Sequence, residues 1–409
     1  MTRTSIATRR DFLNRGLGVV GVSSALPNFL VRSALGAPEA PTGGRIAVAL
    51  LLEGGHDGLS DVPPYGQEEY GKFRQATRIQ DNEVLKLNEE VGLHPNLAGF
   101  KELYDQGQCA VVLGTGYPSF NYSHFEARAI WSAADRGWRE AGGWLGRYCD
   151  HAFKGKGDPI VSVSVGGGRA PLVLKGQSYP GVSFNAPQSF QFTAERGEAE
   201  YALYQKLNQI GQGAGNADLQ FVTQTAVTAN AASEKVREVA SKYKPSVTYP
   251  NTRLANSFKL IAGMIAGGLS TRVYYTQQGG YDTHGNQRGR HNTLMAQLND
   301  AVTAFQKDLA AQGNADRVMT FTFSEFGRRV DENKSQGTDH GSAQPMFLFG
   351  PGVKGGLHGK QPSLADVPRN NLKMSVDFRS VYAAVLEKWL GVPSEPILGE
   401  KYPLLDCVG

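Results

Sequence analysis

Short apolar runs alternate along the chain with longer segments whose apolar positions fall three or four apart. Residues 45–52 (RIAVALLL), 109–113 (CAVVL), 160–165 (IVSVSV), 272–277 (RVYYTQ), 317–323 (RVMTFTF) and 345–349 (PMFLF) are runs of the first kind. Runs of this length predict strands buried on both faces, as in parallel sheets. Segments 97–105, 125–134, 294–309 and 376–390 have helical spacing, as do 199–210, 219–243 and 254–266. Strands alternating with helices predict an α/β fold with a mostly parallel central sheet flanked by helices. No internal repeat or low-complexity tract interrupts the pattern. Residues 38–409 therefore read as a single domain, with a helical insertion or cap at about 185–268.

Polar residues gather where the strands end. The first run gives way to Glu53-Gly54-Gly55-His56-Asp57-Gly58, and the second leads on to Ser123-His124. The fourth ends near Asp282-Thr283-His284, the fifth in Ser324-Glu325, and Asp339-His340 sits in a glycine-bounded loop. Open parallel sheets bind ligands outside the carboxyl ends of their strands, so these groups are expected to converge. Carboxylates and imidazoles without a thiolate suit a divalent metal held through oxygen and nitrogen. The expected ligands are Asp57, Asp282, His284, Glu325 and His340, enough for one or two ions of Zn, Mn, Ca or Mg. Ser123 is the candidate nucleophile, activated by metal. His124 and Arg328 are candidates for holding an anionic substrate, and Asp339 and His291 are additional candidate site residues. Each position also has a structural reading. Asp57 before glycine suits a turn. Ser123 with Glu126 makes a helix capping box. Glu325 can pair with Arg328 or Arg329, and Asp339-His340-Gly341 can be a turn.

The N-terminus changes what the charge means. Thr8-Arg9-Arg10-Asp11-Phe12-Leu13 is a paired-arginine motif, followed by a weakly apolar run over 16–31 and small residues at Ala34, Gly36 and Ala37. That order predicts a twin-arginine signal peptide over 1–37, recognised by the export machinery for folded proteins. The run contains Pro27 and falls short of the roughly 20 apolar residues that span a bilayer, so no stable membrane span is expected after cleavage. The whole chain has 42 Lys+Arg against 38 Asp+Glu, and residues 1–37 hold five of the former and one of the latter. The remainder carries 37 of each, which argues against a nucleic-acid surface. Three cysteines, Cys109, Cys149 and Cys407, with no Cys-x-x-Cys, make a disulfide framework unexpected.

Seven segments together carry a family resemblance: GGHDGLS, GYPSFNYSHFEA, GGWLGRYCD, GGYDTHGNQ, TFSEFGRRVDEN, GTDHGSAQPMFLFG and VDFRSVYAAVLEKWLG. In this order they resemble the DUF1501 proteins over roughly residues 44–392. These are bacterial proteins, commonly exported by the twin-arginine route and similar to the alkaline phosphatase and sulfatase superfamily. The resemblance implies an alkaline-phosphatase-like fold and an exported, metal-dependent hydrolase of phosphate or sulfate esters. It implies a small anionic ester or glycan as substrate. It matches Asp57 to a metal-binding Asp after the first strand and Ser123 to the nucleophile at a helix start. Asp282, His284 and His340 match further ligands. The superfamily's Asp-His pair is here Glu325-Phe326, which removes one imidazole. That departure keeps open a non-catalytic binding protein, or a phosphomutase or transferase, on the same fold.

Overall fold

The computed structural model describes residues 44–137, 142–154, 158, 160–187, 198–199, 202–204, 206 and 217–409. The signal segment expected over 1–37 and most of the helix expected over 199–210 lie outside the described residues. The chain opens with β1 (Ile46–Glu53), the one-turn helix α1 (Gly58–Asp61), α2 (Glu68–Phe73) and a small hairpin, β2 (Leu85–Lys86) with β3 (Gly92–Leu93). Next come α3 (Ala98–Asp105), β4 (Cys109–Gly116), α4 (His124–Ala133), α5 (Trp144–Phe153), β5 (Ser162–Val165) and β6 (Val182–Phe184). Then follow α6 (Ala217–Lys242), α7 (Arg253–Ala266), β7 (Val273–Gly279), α8 (Gln287–Ala311) and β8 (Val318–Phe323). The last elements are β9 (Gln344–Phe349), β10 (Gly356–His358), β11 (Val376–Asp377), α9 (Phe378–Ala384) and α10 (Glu395–Leu398).

The main sheet runs β10-β4-β9-β8-β1-β7-β5-β6, with β11 also paired to β4. It is mostly parallel: β1 lies parallel to β7 and β8, β5 to β6 and β7, and β4 to β10 and β11. β9 runs antiparallel to both its neighbours, β4 and β8. All six apolar runs became strands of this sheet. The added strands β6, β10 and β11 have three, three and two residues, too few to show a pattern.

β1 shows why the central runs are apolar throughout. Ala47, Ala49 and Leu51 join the core on one face, with Trp131 of α4, Trp144 of α5 and Tyr382 of α9. Ile46, Val48, Leu50 and Leu52 join the other, with Phe100 of α3, Phe258 of α7 and Phe305 of α8. Both sides of the strand are thus roofed by helices, giving an α/β/α sandwich. Each fully buried Leu, Ile or Val there contributes roughly 1.5–3 kcal/mol. Within the stretch expected as an insertion or cap, α7 packs against β7, β5 and α8, in one of the two helical layers.

Because β1, β4, β7 and β8 share one direction, their carboxyl ends lie along one edge of the sheet. The antiparallel β9 begins at that same edge. The turn segments that carry the polar residues therefore meet there.

Candidate metal centre

The turn after β1 sets the geometry. Gly54 and Gly55 have φ of +122° and +74°, in the region that favours glycine. A Cβ on Gly54 would lie 2.4 Å from the backbone nitrogen of Asp282, so the ends of β1 and β7 touch through a bare backbone. Arg328 locks this contact from below and is only 1% exposed. Its Nε donates to the Gly55 carbonyl at 2.6 Å, and its Nη1 to the Thr338 carbonyl at 2.8 Å. Its Nη2 donates to the carbonyls of Gly54 and Tyr281 and, at 2.8 Å, to Asp282 Oδ1. The guanidinium expected to meet a substrate anion is thus committed to four carbonyls and Asp282.

Above this floor, His124, Asp282 and His340 each offer a ligand atom, all within 4.8 Å of one another. Asp282 Oδ2 lies 3.5 Å from His124 Nε2, and Oδ1 lies 3.2 Å from His340 Nε2. His284 Nε2 is 3.0 Å from both Asp282 Oδ1 and His340 Nε2. The opposite nitrogen of every ring is already used. Nδ1 meets Glu325 Oε1 at 2.8 Å in His124, Asp339 Oδ1 at 3.0 Å in His284 and the Tyr122 carbonyl at 2.8 Å in His340. A carbonyl or an ionised carboxylate only accepts, so each Nδ1 is placed to donate to its partner, and each ring turns its Nε2 inward. Buttressing a ring through its far nitrogen is how proteins orient metal-binding histidines.

The spacing fits a cation. His284 Nε2 and His340 Nε2 lie 3.0 Å apart, close enough for both to reach one ion. A tetrahedral ion with bonds near 2.0–2.1 Å spaces its ligand atoms roughly 3.3–3.4 Å apart. The separations around Asp282 and between His284 and His340, 3.0 to 3.5 Å, lie near that edge length.

Charge agrees with geometry. Burial alone would raise the Asp282 pKa, but the hydrogen bond and charge of Arg328 outweigh it and bring it to about 2. Burial also opposes ionisation of Glu325, and the hydrogen bond from His124 overcomes it, so its pKa falls. The His124 pKa is raised, first by its hydrogen bond to Glu325, whereas burial lowers that of His340. Asp282 is 48% exposed, so the centre opens to solvent.

The family model DUF1501, described as a protein of unknown function, matches residues 47–395. The chain belongs to the DUF1501 family. No curated protein matches it. Among solved structures, it is similar to alkaline phosphatase from the Antarctic bacterium TAB5, at 11% identity over 76% of this chain and 92% of that one, with a TM-score of 0.32. It is also similar to the PsFucS1 sulfatase from Pseudoalteromonas sp., at 11% identity over 89% of this chain and 74% of the other, TM-score 0.38. A third is the lipoteichoic acid synthase LtaP from Listeria monocytogenes, at 9% identity over 88% and 79%, TM-score 0.34.

Within the DUF1501 segment the remaining expected residues take other places. Asp57 is 1% exposed, and its oxygens accept from both Arg74 terminal nitrogens at 2.6 and 2.9 Å, from Ser60 Oγ at 2.6 Å and from Gln287 Nε2 at 2.5 Å. None of these partners belongs to the metal cluster. His291 is buried too, with Nε2 2.7 Å from Asp61 Oδ1, while His56 takes the other oxygen of Asp61. Ser123 is exposed and caps α4, its Oγ accepting from Glu126 N at 3.5 Å. Glu325 stands behind His124, also accepting from Gly54 N at 3.0 Å and Ser324 Oγ at 3.2 Å. Asp339 stands behind His284. His124, read from sequence as a substrate contact, is one of three groups whose ligand atoms all lie within 4.8 Å of one another.

Sequence reasoning missed the Tyr122 carbonyl and the Glu53–Arg128 ion pair beside Glu325. Arg128 follows His124 by four residues on α4, a spacing that places both on one helix face and was available to find it.

Proposed function

We propose that this DUF1501 protein is an exported, metal-dependent hydrolase of phosphate or sulfate esters. One observation carries the metal: His124, Asp282 and His340 each offer a ligand atom within 4.8 Å of one another, with His284 Nε2 3.0 Å from Asp282 and His340, and each ring is buttressed through Nδ1. His124, Asp282 and His340, with His284 beside them, would hold one divalent ion, and imidazole-rich coordination favours Zn over Mn, Mg or Ca. When bound, such an ion polarises an ester oxygen and lowers the pKa of a neighbouring hydroxyl or water.

The chain's own groups do the rest. Glu325, Asp339 and the Tyr122 carbonyl hold the rings in place. Arg328 keeps Asp282 ionised and aimed. Ser123 precedes His124 directly, and its hydroxyl makes only a long cap contact, which leaves it able to turn toward the centre as nucleophile. The N-terminus of α4 beside it favours an anion.

A second reading is a binding protein without turnover. The engagement of Asp57 by Arg74 favours it, because that leaves the cluster one carboxylate poorer. Elemental analysis of the purified mature protein, followed by phosphate- and sulfate-ester assays, separates the two. The hydrolase reading expects close to one divalent ion per chain, lost in a folded Asp282→Ala/His340→Ala variant. It also expects hydrolysis lost in Ser123→Ala with metal retained. Metal without hydrolysis of any ester leaves the binding reading. No metal after incubation with Zn, Mn, Ca and Mg in turn removes the hydrolase.

Export rests on the paired arginines, and no described helix is long and apolar enough to cross a membrane. Cell fractionation tests it: the wild type is expected outside the cytoplasm in shortened form, and an Arg9→Lys/Arg10→Lys variant inside at full length. Equal export of both would remove this reading.

A further inference from the structure

Beside the metal centre lies a cleft of about 580 Å³, within the roughly 300–1,000 Å³ that small-molecule sites occupy. It adjoins the centre through the chain itself. The lining residue Tyr122 lends its carbonyl to His340, and the lining Ser342 lies two residues beyond His340.

Three independent features mark the cleft as a binding surface. The first is apolar. Among the described residues five large hydrophobic side chains are exposed. Tyr122 (40%) and Met374 (41%) line the cleft, and Phe125 (65%) follows the candidate ligand His124. Single exposed hydrophobics need no explanation, whereas a group at a cleft does. The second is backbone strain. Ser119 and Arg369, both lining, have φ of +52° and +53°, and Asn370 next to them has +62°. Non-glycine residues adopt this region at a cost and keep it mainly at functional sites. The third is charge. Arg369 is exposed in the wall, and Lys373 is held only by a surface ion pair with Asp366, which an incoming anion can exchange. Arg329 lies 5.6 Å from the centre of the Tyr122 ring. The platform is fixed in place, since Asn371 Nδ2 donates to the Tyr122 hydroxyl at 3.0 Å.

We propose that this cleft binds the non-reacting part of an ester substrate, and that this part is an anionic oligosaccharide. A sugar ring offers a C–H face to an aromatic side chain and hydroxyls to its polar neighbours, here Ser119 and Ser342. Sulfate or phosphate groups along the chain pair with Arg369 and Lys373. The substrate class rests on the hydrolase reading, but the binding does not.

The test is therefore direct binding by calorimetry, with metal content measured on the same samples. The probes are a chain of six hexoses bearing one sulfate each, its desulfated counterpart, and adenosine monophosphate. For the wild-type protein we expect the sulfated chain to bind at least tenfold more tightly than the desulfated one. An Arg369→Ala/Lys373→Glu variant, altered only at exposed positions, should lose tenfold or more toward the sulfated chain. Equal affinity for the two chains, an unchanged affinity in the double variant, or tighter binding of the nucleotide would overturn the proposal. Absence of metal with oligosaccharide binding intact would instead sink the hydrolase and leave the cleft assignment standing.

Discussion

Asp57 and Arg74 form a buried pair at the first turn after β1, with the arginine fully enclosed and the carboxylate 1% exposed. Burial by itself would raise the pKa of Asp57, but the adjacent guanidinium holds it well below the usual carboxylate range. A carboxyl whose folded pKa is depressed contributes stability in full above its unfolded pKa of about 3.9. That contribution is lost as pH falls through the lower folded value. Replacing Asp57 by Asn leaves Arg74 as an uncompensated buried charge, a loss of roughly 3–5 kcal/mol in denaturant unfolding. The fall in stability on acidification should be shallower in Asp57→Asn than in the wild type, and bound metal should be unchanged. A variant of wild-type stability that has lost its metal would return Asp57 to the ligand set. The sequence placed this aspartate correctly at a strand end. It could not show that an arginine 17 residues on would fill its oxygens, because ligand and anchor differ only in their contacts. His124 is the reverse case: its position was legible, and its role depended on where Glu325 came to rest.

At the scale of elements, the centre depends on strand ends meeting without side chains between them. Gly54 touches the Asp282 backbone, donates to Glu325 and accepts from Arg328, so one turn couples β1, β7 and the segment after β8. Gly54→Ala places a methyl group against that backbone in a region of positive φ. We expect a loss of about 2 kcal/mol or more, from strain and forced separation. Metal occupancy should fall with it, because Asp282 and Glu325 both move. Wild-type stability and full occupancy in Gly54→Ala would show that the turn is not what positions Asp282. The apolar runs revealed the six longer strands because burial on both faces leaves a strong signal. Direction leaves none, so the reversal of β9 was not legible, although it is what brings Asp339 and His340 to the edge where the other strands finish. Strands of two or three residues exist only through their pairing.

At the scale of the whole molecule, two apolar cores sandwich the sheet, and every cysteine is enclosed within or behind them. Cys109, Cys149 and Cys407 are buried and free. Burial pushes all three thiols up, Cys407 to about 12 and the other two further. The core is large enough to hold the fold without covalent ties. Thiol titration checks this. At pH 8 the native mature protein should leave a disulfide reagent such as dithionitrobenzoate unreacted, since thiolate is scarce and access is closed. In guanidinium all three thiols should react, and a reductant should leave the melting temperature where it was. Fewer than three thiols after unfolding would mean that a disulfide forms. Rapid reaction of one thiol in the native protein would mean that a layer of the sandwich opens near it. The sequence bears on this outcome through number and spacing alone: three cysteines cannot all pair within one chain, and it takes the packed sheet to say that none does.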